Sequence, residues 1–185
     1  MTHISRKRKG KCGEMALKLD MSKAYDRVEW DCLRQIMKKL GFHDNWISIV
    51  MRYVTSVTYA MRINGQRYGK IHPTWGLRQG HPLSPYLFLI CAEGLSALLH
   101  KAVQRKKLRG VAASVKGPKV SHLFFADDSL IFGRATKEEA TEIQRLLQVY
   151  EASSGQQLNW NKTALFFSPN TNDGIREEVK TLFGA

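Results

Sequence analysis

The sequence predicts an α+β fold in which a mostly antiparallel sheet is packed on helices. Short segments alternate apolar and polar residues with the two-residue period of strands, and longer segments repeat apolar residues at helical spacing. Turn-forming pairs stand between strand-like segments, as in β-hairpins. The glycine signatures of dinucleotide-binding and P-loop folds do not occur. Together these observations favour an antiparallel sheet covered by helices.

Length and composition suit one compact intracellular domain. The chain has 185 residues, 43% of them hydrophobic. No run of about 18 apolar residues occurs, since polar side chains interrupt the nearest candidate at residues 83–99, and the N-terminus lacks a secretory signal. We therefore expect no membrane partner and three reduced, buried cysteines, while the sequence leaves the compartment, nucleus or cytoplasm, unknown.

Positive charge is concentrated in the middle of the chain. The net charge is +13, and residues 45–126 contain 12 Lys or Arg against one acidic residue, Glu93. A one-sided basic surface attracts phosphates and releases their counterions, so nucleic acid is the favoured partner, with a merely soluble basic protein as the alternative. Residues 1–14 are expected to form a basic mobile arm, because the Lys and Arg between residues 6 and 11 show no apolar periodicity.

The first strand is predicted from the alternation over residues 15–19 and ends near Asp20. Two helices with one apolar face each follow it. Asp26 is placed to cap the first helix and Gly41 to end it. Asp44 is the expected N-cap of the second helix.

A β-hairpin is expected next. Residues 57–63 alternate as a strand, and Asn64 and Gly65 supply the positive φ angles that a two-residue hairpin turn requires. Tyr68 and Trp75 follow in the same region. They are expected in the core in preference to stacking on bases.

The second half of the chain predicts two long helices and a last strand. Ser84 is the expected N-cap of an apolar helix. Thr136 and Glu139 form a capping box for the second long helix, which Gly155 ends. The last strand is predicted at residues 165–167.

An acidic pair, Asp127 and Asp128, stands between apolar runs at residues 122–126 and 130–132, which predicts a strand, a tight turn and a strand. Adjacent like charges repel unless a cation or proton intervenes. If the strand that ends at Asp20 is a neighbour, three carboxylates supply the hard oxygen ligands that magnesium takes beside phosphates. Two ions about 3.5 to 4 Å apart would clamp the oxygens of a phosphoryl displacement, which is polymerase chemistry. A plain exposed turn is the alternative.

Four ordered segments resemble motifs A to D of reverse transcriptases. They are LDMSKAYD at 19–26, GLRQGHPLSP at 76–85, FADD at 125–128, and GQQLN at 155–159 with Lys162. The residues of these motifs are most similar to those of retroelements without long terminal repeats, the plant LINE type especially. The resemblance implies RNA-directed DNA polymerase activity and a ferredoxin-like polymerase palm over residues 15–168. Relative to that family, the fingers are expected to be largely missing and the thumb absent, with residues 169–185 as a truncated C-terminal tail.

The resemblance also implies a metal centre and its substrates. Asp20 and Asp127 would bind two Mg²⁺ ions, for which Mn²⁺ can substitute, while Asp128 supplies further carboxylate oxygen and the Met21 carbonyl assists. The implied partners are an RNA template, a DNA primer and a dNTP. The competing hypothesis is a degenerate or repurposed element fragment that binds nucleic acid without catalysis.

Further roles come from the same resemblance. Tyr25 falls at the steric gate that disfavours a ribose 2′-hydroxyl, with a core aromatic as the alternative. Gln79 and Gly80 fall where motif B contacts the nascent base pair and template, and Arg78 adds a phosphate contact. Lys162 matches the lysine that protonates departing pyrophosphate, with a solvated surface lysine as the alternative.

Overall fold

The computed structural model describes residues 12–112, 114, 117–125 and 128–184, so the predicted arm lies outside the description up to residue 11. The strands are β1 (Glu14–Leu19), β2 (Tyr59–Ile63), β3 (Gln66–Ile71), β4 (Val111–Ala112), β5 (Lys119–Val120), β6 (His122–Phe125), β7 (Asp128–Arg134) and β8 (Ala164–Phe167). The helices are α1 (Trp30–Lys39), α2 (Asp44–Thr55), α3 (Ser84–Gln104), α4 (Lys137–Ser154) and α5 (Asp173–Phe183), and a 3-10 turn covers Trp160–Lys162.

A four-stranded antiparallel sheet in the order β6-β7-β1-β8 forms the centre of the molecule. Successive side chains of a strand point to opposite faces of a sheet. Met15, Leu17 and Leu19 of β1 therefore share one face, and they belong to the main core beneath the helices. Ala16 and Phe132 lie on the other face in a small separate cluster. The α+β class with an antiparallel sheet is confirmed.

The helices cover one face of this sheet, and each contributes buried apolar side chains to the main core, including Leu33, Val50, Leu95, Leu147 and Val179 from α1 to α5 in turn. Helix α3 packs against α1 and α4, and α5 packs against α4. Helix α5 lies within residues 169–185, for which the sequence predicted no element. Among the described residues, α3 is the one helix long and apolar enough to span a membrane, by length and composition only.

Helix starts differ from the predictions by short shifts. His43, not Asp44, caps α2, because its backbone is extended and its ring accepts a hydrogen bond from the Asn45 amide at 3.2 Å. Leu83 precedes α3 in an already helical conformation, and the hydroxyl of Ser84 bonds a loop carbonyl instead of capping. The predicted caps at Thr136 and Gly155 of α4 are confirmed. The capping box is not complete, because the Glu139 carboxylate accepts from the Arg109 and Arg134 amides and not from the Thr136 amide.

The predicted hairpin is formed by β2 and β3, and its turn at Asn64 and Gly65 has φ angles of 48° and 82°. Every residue of both strands is exposed. The expectation that Tyr68 and Trp75 are core residues is wrong, since their exposed fractions are 47% and 57%. The reason is that the hairpin projects from the molecule, so neither of its faces is covered by the sheet or the helices.

The three cysteines are free thiols, but the expectation that all three are buried is wrong for Cys12 and Cys32. Cys91 is buried in α3, while Cys12 and Cys32 are half-buried. Burial raises the pKa of the Cys91 thiol, with a further contribution from the nearby Cys32. The thiol of Cys91 therefore stays protonated and acts as an apolar core group.

Candidate active site

The ends of β1 and β7 bring two of the predicted carboxylates together. The last registered pair of these strands is Leu19 with Ser129. Asp20 directly follows Leu19, and Asp128 directly precedes Ser129. Leu19 and Ser129 are buried towards the helices, so Asp20 and Asp128 share the opposite, open face. The predicted third carboxylate, Asp127, lies outside the described residues.

A lysine already lies beside this pair. The ammonium of Lys18 is 3.1 Å from a carboxylate oxygen of Asp128, and both side chains are about half exposed. Because solvent screens such pairs, the contact contributes at most about 1 kcal/mol to stability. Within the residues that the structure describes, no group of three or more His, Cys, Asp or Glu side chains could hold a metal ion.

The segment after α4 holds the loop that carries Asp20. The Ser22 amide donates to the Gln157 carbonyl at 2.8 Å, and the Asn159 amide donates to the Asp20 carbonyl at 2.9 Å. These two hydrogen bonds lie on either side of an isolated antiparallel β-bridge between Met21 and Leu158. In such a bridge the N–H and C=O of the central residue point away from the partner strand. The Met21 carbonyl therefore points to the β7 side, where Asp128 lies.

The buried side-chain amide of Gln156 also holds the loop that carries Asp20. Gln156 is 1% exposed, and its side-chain nitrogen donates to the Ala24 carbonyl at 2.9 Å. Gln156 had no predicted role of its own. Its signal was weak, since a glutamine after a helix-ending glycine is usual in solvent-exposed loops as well.

A cleft of about 650 Å³ opens beside the loop, between the residues that resemble motifs A and B. Met21, Tyr25, Gln79 and Gly80 all line it. Tyr25 is half-buried, and its ring packs against Phe88 with centroids 5.1 Å apart. The structure thus brings four of the predicted site residues around one space that is open to solvent.

Asp26 links the two loops and does not cap α1. That helix begins at Trp30, after Glu29, while Asp26 accepts a hydrogen bond from the side-chain amide of Gln79 at 2.9 Å. The expectation that Asp26 is an N-cap is therefore wrong. Three residues separate Asp26 from the first helical residue, so its carboxylate turns towards motif B.

Gly76 allows this close approach. A Cβ atom built on Gly76 would lie 2.8 Å from the Asp26 carbonyl oxygen, and the φ of Gly76 is +89°. The Gly76 amide donates to the Val28 carbonyl, and its own carbonyl accepts from the Trp30 indole, both at 2.8 Å. The two loops are thus joined backbone to backbone.

The remaining predicted residues lie at the edges of the site. The exposed side chain of Arg78 belongs to a smaller neighbouring cavity, while its carbonyl accepts from Ser84 at 2.6 Å. Gly80 has a φ of +76° with open space where a Cβ would stand. Lys162 is exposed at the end of the 3-10 turn, and its backbone amide bonds the Asn159 carbonyl at 3.0 Å. Backbone hydrogen bonds therefore link Lys162 to Asn159, and Asn159 to Asp20.

A separate polar cluster lies beneath β6. The ring nitrogens of His122 are each 3.0 Å from a hydroxyl, one from Ser96 and one from Ser121. Its ring is 5.0 Å from that of His100. Burial lowers the pKa of His122, and the neighbouring His100 lowers it further. The His122 ring is therefore neutral near pH 7 and bridges a helix to the sheet.

The sequence comparisons agree with the motifs. The family model described as "Reverse transcriptase (RNA-dependent DNA polymerase)" matches residues 2–182. An uncharacterized mitochondrial protein of Arabidopsis thaliana is 49% identical over 67 residues, which cover 36% of this chain and 55% of that protein. A transposon TX1 protein of Xenopus laevis is 29% identical over 150 residues, covering 80% of this chain and 11% of its own length. The Pol polyprotein of an R2 retrotransposable element from Popillia japonica is 30% identical over 126 residues, which cover 68% of this chain and 20% of the polyprotein.

Solved structures share the fold. Apo telomerase of Candida tropicalis aligns with a TM-score of 0.65 and 16% identity, over 91% of this chain and 33% of that one. The same enzyme with a fragment of telomeric RNA also gives 0.65. This chain thus spans about half or less of the proteins it matches. Because the family model covers nearly all of its residues, the chain belongs to the reverse transcriptase family.

Proposed function

We propose that residues 15–168 form the catalytic palm of an RNA-directed DNA polymerase, which extends a DNA primer on an RNA template with dNTPs. The observation that supports this proposal is the pairing of β1 with β7 as far as Leu19 and Ser129, because Asp20 follows Leu19 and Asp128 precedes Ser129 in the sequence. Asp127 immediately precedes Asp128 in the sequence. An acidic site next to a basic surface suits a substrate that brings both phosphates and metal ions.

The donor atoms fit a hard divalent cation. The carboxylates of Asp20, Asp127 and Asp128 and the carbonyl of Met21 are oxygen ligands, the type that magnesium and manganese prefer. The Lys18 ammonium, which is paired with Asp128, would have to move away when a metal ion binds, because two cations at one carboxylate repel each other. Two bound Mg²⁺ ions would supply charge stabilisation for the attacking and leaving oxygens.

In the proposed reaction, the primer 3′-oxygen forms a bond to the α-phosphorus of the dNTP, and the bond from that phosphorus to the β-bridging oxygen breaks. Tyr25 lies in the cleft wall, where its ring would meet a 2′-hydroxyl and so select deoxynucleotides. Gln79, held by Asp26, and Gly80 would position the nascent base pair. Arg78 would bind a phosphate from the rim.

Lys162 would act as a general acid. Its ammonium would donate a proton to the departing pyrophosphate, while the proton of the 3′-hydroxyl would pass to water in the open cleft. The Asn159 link to Asp20 supports this placement, since it joins the lysine to the metal-binding loop. The retained alternative, nucleic-acid binding without catalysis, is motivated by the small share of the transposon proteins that the chain covers.

Primer extension tests the proposal. The chain, alone and within a longer protein that carries it, is incubated with a primed RNA template, dNTPs and Mg²⁺. We expect incorporation that chelation of Mg²⁺ abolishes and that Asp127→Asn lowers by about 10²-fold or more. Asp44→Asn, an exposed carboxylate at the start of α2, is the matched control and should not change it. No incorporation in either setting, or equal rates for Asp127→Asn and wild type, would contradict the proposal.

A further inference from the structure

The hairpin of β2 and β3 has two unlike faces, both open to solvent. Side chains alternate across a strand, so Met61 and Ile63 share one face, while the register shifts between Tyr59 and Met61. Arg62 points to the other face, and the register places it directly opposite Arg67. The second face is therefore built around two arginines on adjacent strands.

Two directly opposed like charges are unfavourable in a strand pair. No carboxylate occurs in the sequence between Asp44 and Glu93, so neither strand offers a counter-charge. Among the described residues, no ion pair of Arg62 or Arg67 is found. The Arg62 Nε bonds the Gly65 carbonyl at 3.2 Å, which leaves its terminal nitrogens available.

The base of the hairpin adjoins the proposed substrate cleft. Tyr59, Pro73 and Arg78 line one small cavity, and Ser84 is shared between that cavity and the larger cleft. The exposed Trp75 lies on the connection from β3 to the motif B loop. A strand of nucleic acid that leaves the cleft past Arg78 would therefore meet an aromatic ring and then the hairpin.

From this geometry we infer that Arg62 and Arg67 form a phosphate-binding pair that grips the backbone of single-stranded RNA outside the cleft. This inference rests on the proposed function, which supplies the nucleic acid. Guanidinium groups suit the role because their planar forks bind phosphate oxygens bidentately. Backbone phosphates bound at the two arginines would also offset the repulsion that the free hairpin carries.

The test is the salt dependence of RNA binding by the full chain. Fluorescence anisotropy with an unstructured single-stranded RNA gives the Kd over about 50 to 200 mM salt, where each phosphate contact adds about 0.7 to the log-log slope. If each arginine binds one phosphate, Arg62→Gln combined with Arg67→Gln should lower the slope by about 1.4, so that the affinity loss relative to wild type shrinks about seven-fold over this range. Replacing both with Lys should largely retain the slope.

The matched control is Arg34→Gln combined with Arg145→Gln. Both arginines are exposed on helices and already paired, with Asp31 at 3.7 Å and Glu142 at 2.7 Å. Equal slopes for the hairpin and control variants, with wild-type binding intact, would overturn the inference and leave the proposed polymerase standing. No RNA binding by wild type would overturn both. A change of oligomeric state in the hairpin variant, with RNA binding unchanged, would show instead that the hairpin contacts protein.

Discussion

Replacing Gly76 with alanine should loosen the junction between the two loops of the active site. The new Cβ would lie 2.8 Å from the Asp26 carbonyl oxygen, and Gly76 has a φ of +89°. The positive φ costs about 1 to 2 kcal/mol for a residue with a Cβ. The overlap with a backbone atom adds about 1 to 3 kcal/mol, as overpacking does elsewhere. We therefore expect a loss of about 2 to 5 kcal/mol in the free energy of unfolding.

Gly41→Ala is the matched control. Gly41 has a φ of +85°, and nothing lies within 4 Å of its built Cβ, so this variant bears the backbone strain alone. Urea unfolding followed by circular dichroism measures both variants. We expect Gly76→Ala to lower the free energy of unfolding by at least about 1 kcal/mol more than Gly41→Ala does. Equal losses would refute the claim that a tight backbone contact joins the two loops.

Three further results are expected. Leu147→Ala, in the core, should lose about 2 to 5 kcal/mol in urea unfolding, whereas the half-exposed Val149→Ala should change by less than about 0.5 kcal/mol; similar losses would contradict the assigned core. The pKa of His122 is lowered in the folded protein, so the unfolded chain binds a proton at His122 more readily as the pH falls below about 6.5, and the folded state loses stability there. Between about pH 7.5 and 5.5 the Tm of His122→Asn should therefore fall less than the Tm of wild type. An equal fall in both proteins would contradict the lowered pKa. Asp26→Ala should leave stability within about 1.5 kcal/mol of wild type and raise the KM for dNTP, and an unchanged KM would contradict the role of Gln79.

The elements with strong local signals were predicted well. The alternation over residues 15–19 fixed the face of β1 that is buried, and Asn64 with Gly65 fixed the hairpin turn. Gly155 ended α4 as expected. These features depend on neighbouring residues in the sequence, and such patterns carry most of their information locally.

The wrong predictions concern contacts between distant parts of the chain. Asp26 resembles a helix cap by sequence, but Gln79, far along the chain, takes its carboxylate. Tyr68 and Trp75 have the apolar character of core residues, yet both are exposed. Tyr68 lies in the hairpin and Trp75 follows it, and the hairpin packs against neither the sheet nor the helices. Sequence patterns do not tell which faces find a partner, so these outcomes required the tertiary structure.

The candidate site was predicted in its members and only partly in its geometry. Asp20 was expected near the acidic pair on condition that the strands are neighbours, and β1 does pair with β7. The Lys18 contact with Asp128 was not foreseen. It arises diagonally across two strands, where long side chains reach one another without any local signature.

Binding of Mn²⁺ to the chain, followed by the electron paramagnetic resonance signal of the free ion, tests the central claim most directly. The account predicts saturable binding by wild type that Asp20→Asn and Asp128→Asn each weaken and that Asp44→Asn leaves unchanged. Identical binding curves for all four proteins would contradict the claim that these carboxylates form one metal centre.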